Sequence, residues 1–265
     1  MSTSLSNEHI EELATAVTLL ESPSIAAKIT SAIGMPIERA IETLPDDWQQ
    51  KIGDITQKSL TKAAEVAIWS LSDSGQDKPA NLFHKFGAAV SGGVGGFFGL
   101  PGLAVELPVS TTIILRSIAD IARSQGEYLN TTETKLACIE VFALGGNDES
   151  DDHLESGYFV IRAALAKSIT EATQFIATKK ITEESAPALV KLIAQIATRF
   201  NILVTEKAAA QAIPAIGAVT GGLINTIFID HFQKMAKGHF IMRKLERIYG
   251  TELTKTWYHK ILELN

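Results

Sequence analysis

Between Lys85 and Arg116 the only charged side chain is Glu106, and the same stretch carries Gly87, Gly92, Gly93, Gly95, Gly96, Gly99 and Gly102. Apolar surface on this scale has to be covered, either by the chain's own segments or by lipid. A second uncharged run lies between Lys207 and Asp230 and holds Pro214, Gly217, Gly221 and Gly222. Small residues four apart on a helix, as in Gly87, Ser91, Gly95 and Gly99 or in Gly92 and Gly96, make a groove that a second helix enters closely. Gly87, Gly92, Gly95, Gly96, Gly99, Gly217 and Gly221 are the helix-packing glycines expected on this basis. Both runs are expected to form helical hairpins at the centre of a bundle.

The rest of the chain repeats its apolar residues with a helical period. Residues 1–78 read as acidic, amphipathic helices: Leu13, Val17 and Leu20 come after a cap near Ser6 or Asn7, and Pro23, Gly34-Met35-Pro36 and Pro45 divide the remainder into shorter segments. Pro45-Asp46-Asp47 suits a helix start, because carboxylates favour the positive end of the helix dipole. Ser72 to Pro79 is the clearest linker. After Pro108 the period resumes through Ile114, Ile118 and Ile121, and Gly126 stops it. Thr131 or Thr132 caps a further helix that runs to Gly145-Gly146. Asn147 to Asp152 is an acidic loop, and long helices are expected over about 156–178, over about 183–204, and up to Tyr249, with Gly250 as the stop. No segment shows sustained period-two alternation. The predicted fold is an all-α, multi-helix bundle without significant β-sheet. Acidic N-terminal helices (1–75) pack on a helical core (76–265), as one structural domain.

A net charge of −6 argues against nucleic acid as a partner, which requires a basic footprint. The single Cys138 excludes an internal disulfide, and its neighbours Leu136, Ala137 and Ile139 make it a buried hydrophobe. Met1 to Glu12 has neither a basic stretch nor an apolar core, so the expected location is the cytoplasm, with the inner membrane face as the peripheral alternative. The glycine-rich run has no Gly-Lys-Ser/Thr, and no strand precedes Gly93-Val94-Gly95-Gly96, so neither phosphate-binding motif is present. Ala208 to Ile229 is just long enough to span a bilayer, but polar residues and glycines dilute it. A shallow hairpin touching membrane through Phe97, Phe98, Leu100 and Leu103 fits the pattern better.

Glu106, Glu140, Asp230, His231 and His239 are chemically active side chains set among apolar ones. They are the right types for a metal site or an acid–base pair. His231 and His239 are eight residues apart, about 12 Å along a helix, too far to share one ion. His239 lies on the stripe Phe228, Phe232, Met235, His239, Met242 and is expected in the core, bonded to Glu106 or Glu140. Arg116, Asp120 and Arg123 stand at ion-pair spacing and are expected, with His239, to form a structural polar core. Lys234, Lys237, Arg243, Lys244 and Arg247 give the last long helix a basic side suited to solvent or to anionic headgroups.

Gly99-Leu100-Pro101-Gly102-Leu103-Ala104-Val105-Glu106-Leu107-Pro108, continued by Thr111 to Arg123, resembles the EcsC family of bacterial proteins. The likeness returns at Cys138 to Gly146, at Pro214 to Val219 and from Asn225 to Arg247, including Asp230-His231-Phe232 and Gly238-His239-Phe240. It implies a helical, cytoplasmic or peripheral membrane protein, and the family's name comes from a gene beside those of an ABC transporter. The expected function is non-enzymatic: association with membrane or apolar lipid, as an accessory to a membrane transporter, with no cofactor. The alternative is a peptidase-like hydrolase using a divalent metal with Glu106, Glu140, Asp230 and His239.

Overall fold

The computed structural model describes residues 5–72, 99–145, 157–178 and 187–264. Among these there is no strand. The helices are α1 (Asn7–Leu20), α2 (Ile25–Ile33), α3 (Ile37–Glu42), α4 (Trp48–Ser70), α5 (Gly99–Ser124), α6 (Thr132–Glu140), α7 (Gly157–Thr178), α8 (Pro187–Ala212), α9 (Pro214–Tyr249) and α10 (Thr251–Leu262), with a short 3-10 turn at Val141–Ala143 after α6. The local signals act where the sequence puts them. Ser6 accepts from the His9 amide to start α1, Thr131 accepts from Thr134 to start α6, and Gly250 ends α9.

Side-chain bonds give the relative directions. Arg123, at the end of α5, donates to the Ser72 carbonyl just past α4 (3.3 Å), and Lys135 in α6 donates to the Ile68 carbonyl (2.8 Å). Gln233 in α9 donates to Ser117 in α5 (2.8 Å). So α4, α5 and α9 run the same way. α8 runs back between them, and Thr56 of α4 bonds to Asn201 of α8 (3.3 Å). α1 lies antiparallel on α9, with Lys244 paired to Glu12 (2.8 Å). At that contact Gly238 lets the two helices close up. A methyl group there would sit 2.6 Å from Leu20 Cγ and 3.3 Å from the Ala16 carbonyl oxygen.

The core centres on Phe142, Phe200, Phe228 and Phe232; Phe200 and Phe232 each lie with ring centroids 5.1–6.0 Å from the other three, the edge-to-face and tilted spacing that aromatic quadrupoles favour. Cys138 of α6 is fully buried as well, and burial pushes its thiol well above the ordinary range. Two expectations about elements are corrected. α5 does not begin after Pro108: it runs through it, and the hydroxyls of Thr111 and Thr112 bond back to the Leu107 and Pro108 carbonyls (2.7 and 2.8 Å). The run from Ala208 to Ile229 is not one helix either. It breaks at Ile213, where Pro214 starts α9 in the position that tolerates a missing amide hydrogen, so the second uncharged run is the turn of the α8–α9 hairpin.

Candidate functional site

Two regions gather unusual residues. The first is a buried polar cluster along the C-terminal half of α9. Arg162 of α7 makes a two-pronged pair with Glu246 (2.6 and 2.9 Å). Glu127, in the turn between α5 and α6, accepts from Arg243 Nε (2.9 Å), from Arg247 and from Thr134 (2.9 Å). Burial works against the Glu127 charge, but the hydrogen bonds and charges of these partners outweigh it and hold its carboxyl below the usual range. Between the two arginine pairs lies His239, which is fully buried. Its Nδ1 is 3.1 Å from the Tyr158 hydroxyl, and its Nε2 is 3.8 Å from Glu140 Oε2. Burial raises Glu140 to about 7, against the pull of Arg162 and Arg243. The same burial and the same two arginines hold His239 well below its ordinary value, so the imidazole is neutral.

The second region is the end of the bundle where α5 begins and α8 turns into α9. Glu106 of α5 pairs with Lys207 of α8 at 2.6 Å, and the Lys207 ammonium lies 4.7 Å from the centre of the Phe228 ring in α9. Gln211 donates to Asn225 across the hairpin (3.3 Å). The described parts of both uncharged runs therefore meet at one end, and the one carboxylate of the first run is neutralised there. An isolated charge so placed would cost several kcal/mol, and pairing removes most of that cost. On the outside of this end Val105 is 73% exposed, Leu223 47% and Val109 44%. The family model of the EcsC proteins matches residues 3–245, nearly the whole chain.

The chain belongs to the EcsC protein family. No curated protein and no solved structure matches it. In this EcsC chain only Glu140 and His239 of the proposed hydrolase set come together. Glu106 is taken by Lys207, and Asp230 pairs with Lys234 at 2.8 Å on the surface. Among the described residues no group of three His, Cys, Asp or Glu side chains is placed to hold a metal ion. His231 is buried separately: its Nε2 lies 3.4 Å from the Leu144 carbonyl, and burial, with the Lys28 charge, lowers it to about 4.

Of the residues expected to touch lipid, Phe97 and Phe98 lie outside the described residues. Leu103 points inward at 4% exposure, and Leu100 is half-buried against the core. Val105 and Val109 take the exposed positions instead. Reading the helix as continuous through Pro108 phases Leu103, Leu107, Ile114 and Ile118 on one face and leaves these two valines on the other. Of the expected packing glycines, Gly87, Gly92, Gly95 and Gly96 lie outside the described residues. Gly99 opens α5, and Gly217 and Gly221 belong to the first turns of α9. Asp120 and Arg123 form an ordinary surface pair at 2.9 Å, each 40% exposed, rather than a polar core; Arg116 is half-buried on the same helix. The polar core is built instead from Glu127, Tyr158, Arg162, Arg243 and Glu246 around His239. Sequence reasoning also missed Glu206 of α8, which is 9% exposed, has a buried Oε2 without a hydrogen-bond partner, and is raised to about 7 by burial and then by Glu38 of α3.

Proposed function

We propose that this EcsC-family chain is a non-enzymatic protein that associates with a membrane surface or apolar lipid, from the cytoplasmic side, through the end of the bundle where α5 begins and the α8–α9 hairpin turns. The observation that carries this is the exposure of Val105, Val109 and Leu223 at an end where the Glu106 charge is already paired. α5 and α8 are also long and apolar enough to cross a membrane, with half and about two-fifths of those stretches buried in the bundle. Transferring three such side chains into lipid contributes on the order of 5 kcal/mol before the cost of immobilisation. That supports reversible, peripheral attachment rather than permanent insertion. A membrane transporter is the protein partner such a location brings within reach.

Charge contributes little to this contact. Four of the five cations on the basic side of α9 are already paired within the chain: Arg243 and Arg247 with Glu127, Lys244 with Glu12, and Lys234 with Asp230. Binding to zwitterionic vesicles is therefore expected to match binding to anionic ones and to change less than about twofold when salt shortens the Debye length from roughly 10 Å to 3 Å. Co-flotation of the full chain with phosphatidylcholine vesicles tests the proposal. The wild type floats, and Val105→Asp/Val109→Asp, two exposed changes that leave the fold intact, lowers the floated fraction at least about tenfold. A wild type that stays at the bottom of the gradient disproves it.

A further inference from the structure

Glu140 closes α6, His239 faces it from α9, and Tyr158 faces His239 from the first turn of α7. All three are buried. Tyr158 Oη lies 3.1 Å from one ring nitrogen of His239, and Glu140 Oε2 lies 3.8 Å from the other. That second nitrogen, Nε2, is buried with no hydrogen-bond partner, a state native interiors rarely leave standing. Closing the gap takes roughly 1 Å of side-chain movement, because such a bond spans about 2.7–3.0 Å.

The surrounding charges decide which proton fills the gap. From α7 the cluster is faced by Arg162, from α9 by Arg243 and Glu246, and from the α5–α6 turn by Glu127. From α10 Tyr258 stacks 6.1 Å from Tyr158, and His259 lies against Phe159. Arg162 has Glu246 and Arg243 has Glu127, so Glu140 is the carboxylate left once each arginine is matched. The imidazole is fully buried beside two guanidinium groups and stays neutral. The variable proton belongs to Glu140.

We propose that Glu140, His239 and Tyr158 form a proton relay in which uptake of one proton by Glu140 reverses the direction of both hydrogen bonds to the His239 ring, coupling α6, α9 and α7 to pH. In the ionised state Nε2–H points at the Glu140 carboxylate, and the Tyr158 hydroxyl donates to Nδ1. On acidification a solvent proton arrives at the Tyr158 oxygen, the former Tyr158 proton moves to Nδ1, and the Nε2 proton moves to Glu140. The carboxyl then donates to Nε2, and Nδ1–H donates to Tyr158. One proton has been gained, the ring is neutral throughout, and no bond between heavy atoms has changed. The raised position of Glu140, at about 7, puts this exchange within the range a cell experiences. It is independent of the lipid contact, which lies at the other region described.

The test uses the full wild-type chain with 15N-labelled histidine and 13C-labelled glutamate, followed by NMR across a range of roughly two pH units either side of 7. His239 is expected to convert from the Nε2–H to the Nδ1–H tautomer as pH falls, and the Glu140 carboxyl is expected to titrate with the same midpoint. Glu140→Gln is expected to lock the ring in one tautomer across the range. A wild-type His239 that keeps one tautomer, becomes an imidazolium, or changes at a midpoint separate from that of Glu140 overturns the relay. Each of these is read on the wild type, so the result does not depend on the variant folding.

Discussion

At Gly145 a side chain has nowhere to go. Its φ of +77° belongs to the left-handed region, and a methyl group there would collide with the His231 ring at Cε1 and lie 2.9 Å from Met235 Sδ. Gly145→Ala therefore combines backbone strain with a clash into a buried ring, and it is expected to lower the unfolding free energy by about 2–4 kcal/mol in urea titrations. Gly238 is the gentler case, since the atoms it would meet first belong to the flexible end of Leu20. Single residues were partly legible from the sequence. The stripe of Phe228, Phe232, Met235, His239 and Met242 sets His239 in the core, and all five are buried. Choosing between Glu106 and Glu140 as its partner needed the fold, because both are lone carboxylates among apolar neighbours. Only packing shows that α8 brings Lys207 to one and α9 brings His239 to the other.

For a whole element, Glu127 illustrates how one turn is held. It joins the α5–α6 connection to α9 through Arg243 and Arg247 and to α6 through Thr134. Replacing it by Ala leaves Arg243, three-quarters buried at its side chain, without its carboxylate. A buried pair broken on one side typically costs about 3–5 kcal/mol, and urea unfolding of Glu127→Ala is expected to fall at the lower end of that range. An unchanged midpoint would show that water replaces the carboxylate freely. α5 shows where element prediction fails. A proline inside a helix removes a backbone bond and clashes with the preceding turn, a cost of about 3 kcal/mol, so a local rule starts the helix after Pro108. Burial of Leu103 and Leu107 on the preceding turns outweighs that cost, and their contribution is visible only when α4 and α9 are in place beside them.

For the molecule as a whole, four buried groups set the pH dependence in opposing directions. Glu140 and Glu206 are raised from 4.5 to about 7 in the folded state, so the stability tied to them is complete below about 4.5 and is lost as pH rises through 7. His231, lowered from 6.5 to about 4, and His239, also lowered, act the other way: their stability is complete above 6.5 and is lost as pH falls. Between the two limits the effects cancel, and the wild type is expected to show a nearly flat thermal midpoint. In Glu140→Gln/Glu206→Gln the histidines act alone, and stability should rise with pH by roughly 2 kcal/mol per unit between about 5 and 6. A double variant as flat as the wild type would mean that the histidines are charged in the folded protein.

Helical period, the caps at Ser6 and Thr131, the stop at Gly250 and the length of the EcsC-like strings are local, and the sequence alone was enough to determine the all-α fold and the family. Local signals act over a few residues, through one backbone geometry at a time. The ion pair that neutralises Glu106 and the meeting of His239 with Glu140 and Tyr158 join residues about eighty to a hundred positions apart, and the outward turn of Val105 and Val109 follows from which face of α5 the other helices cover. Only the tertiary structure decided them, because a side chain's partner and its charge state depend on which helices exclude water around it.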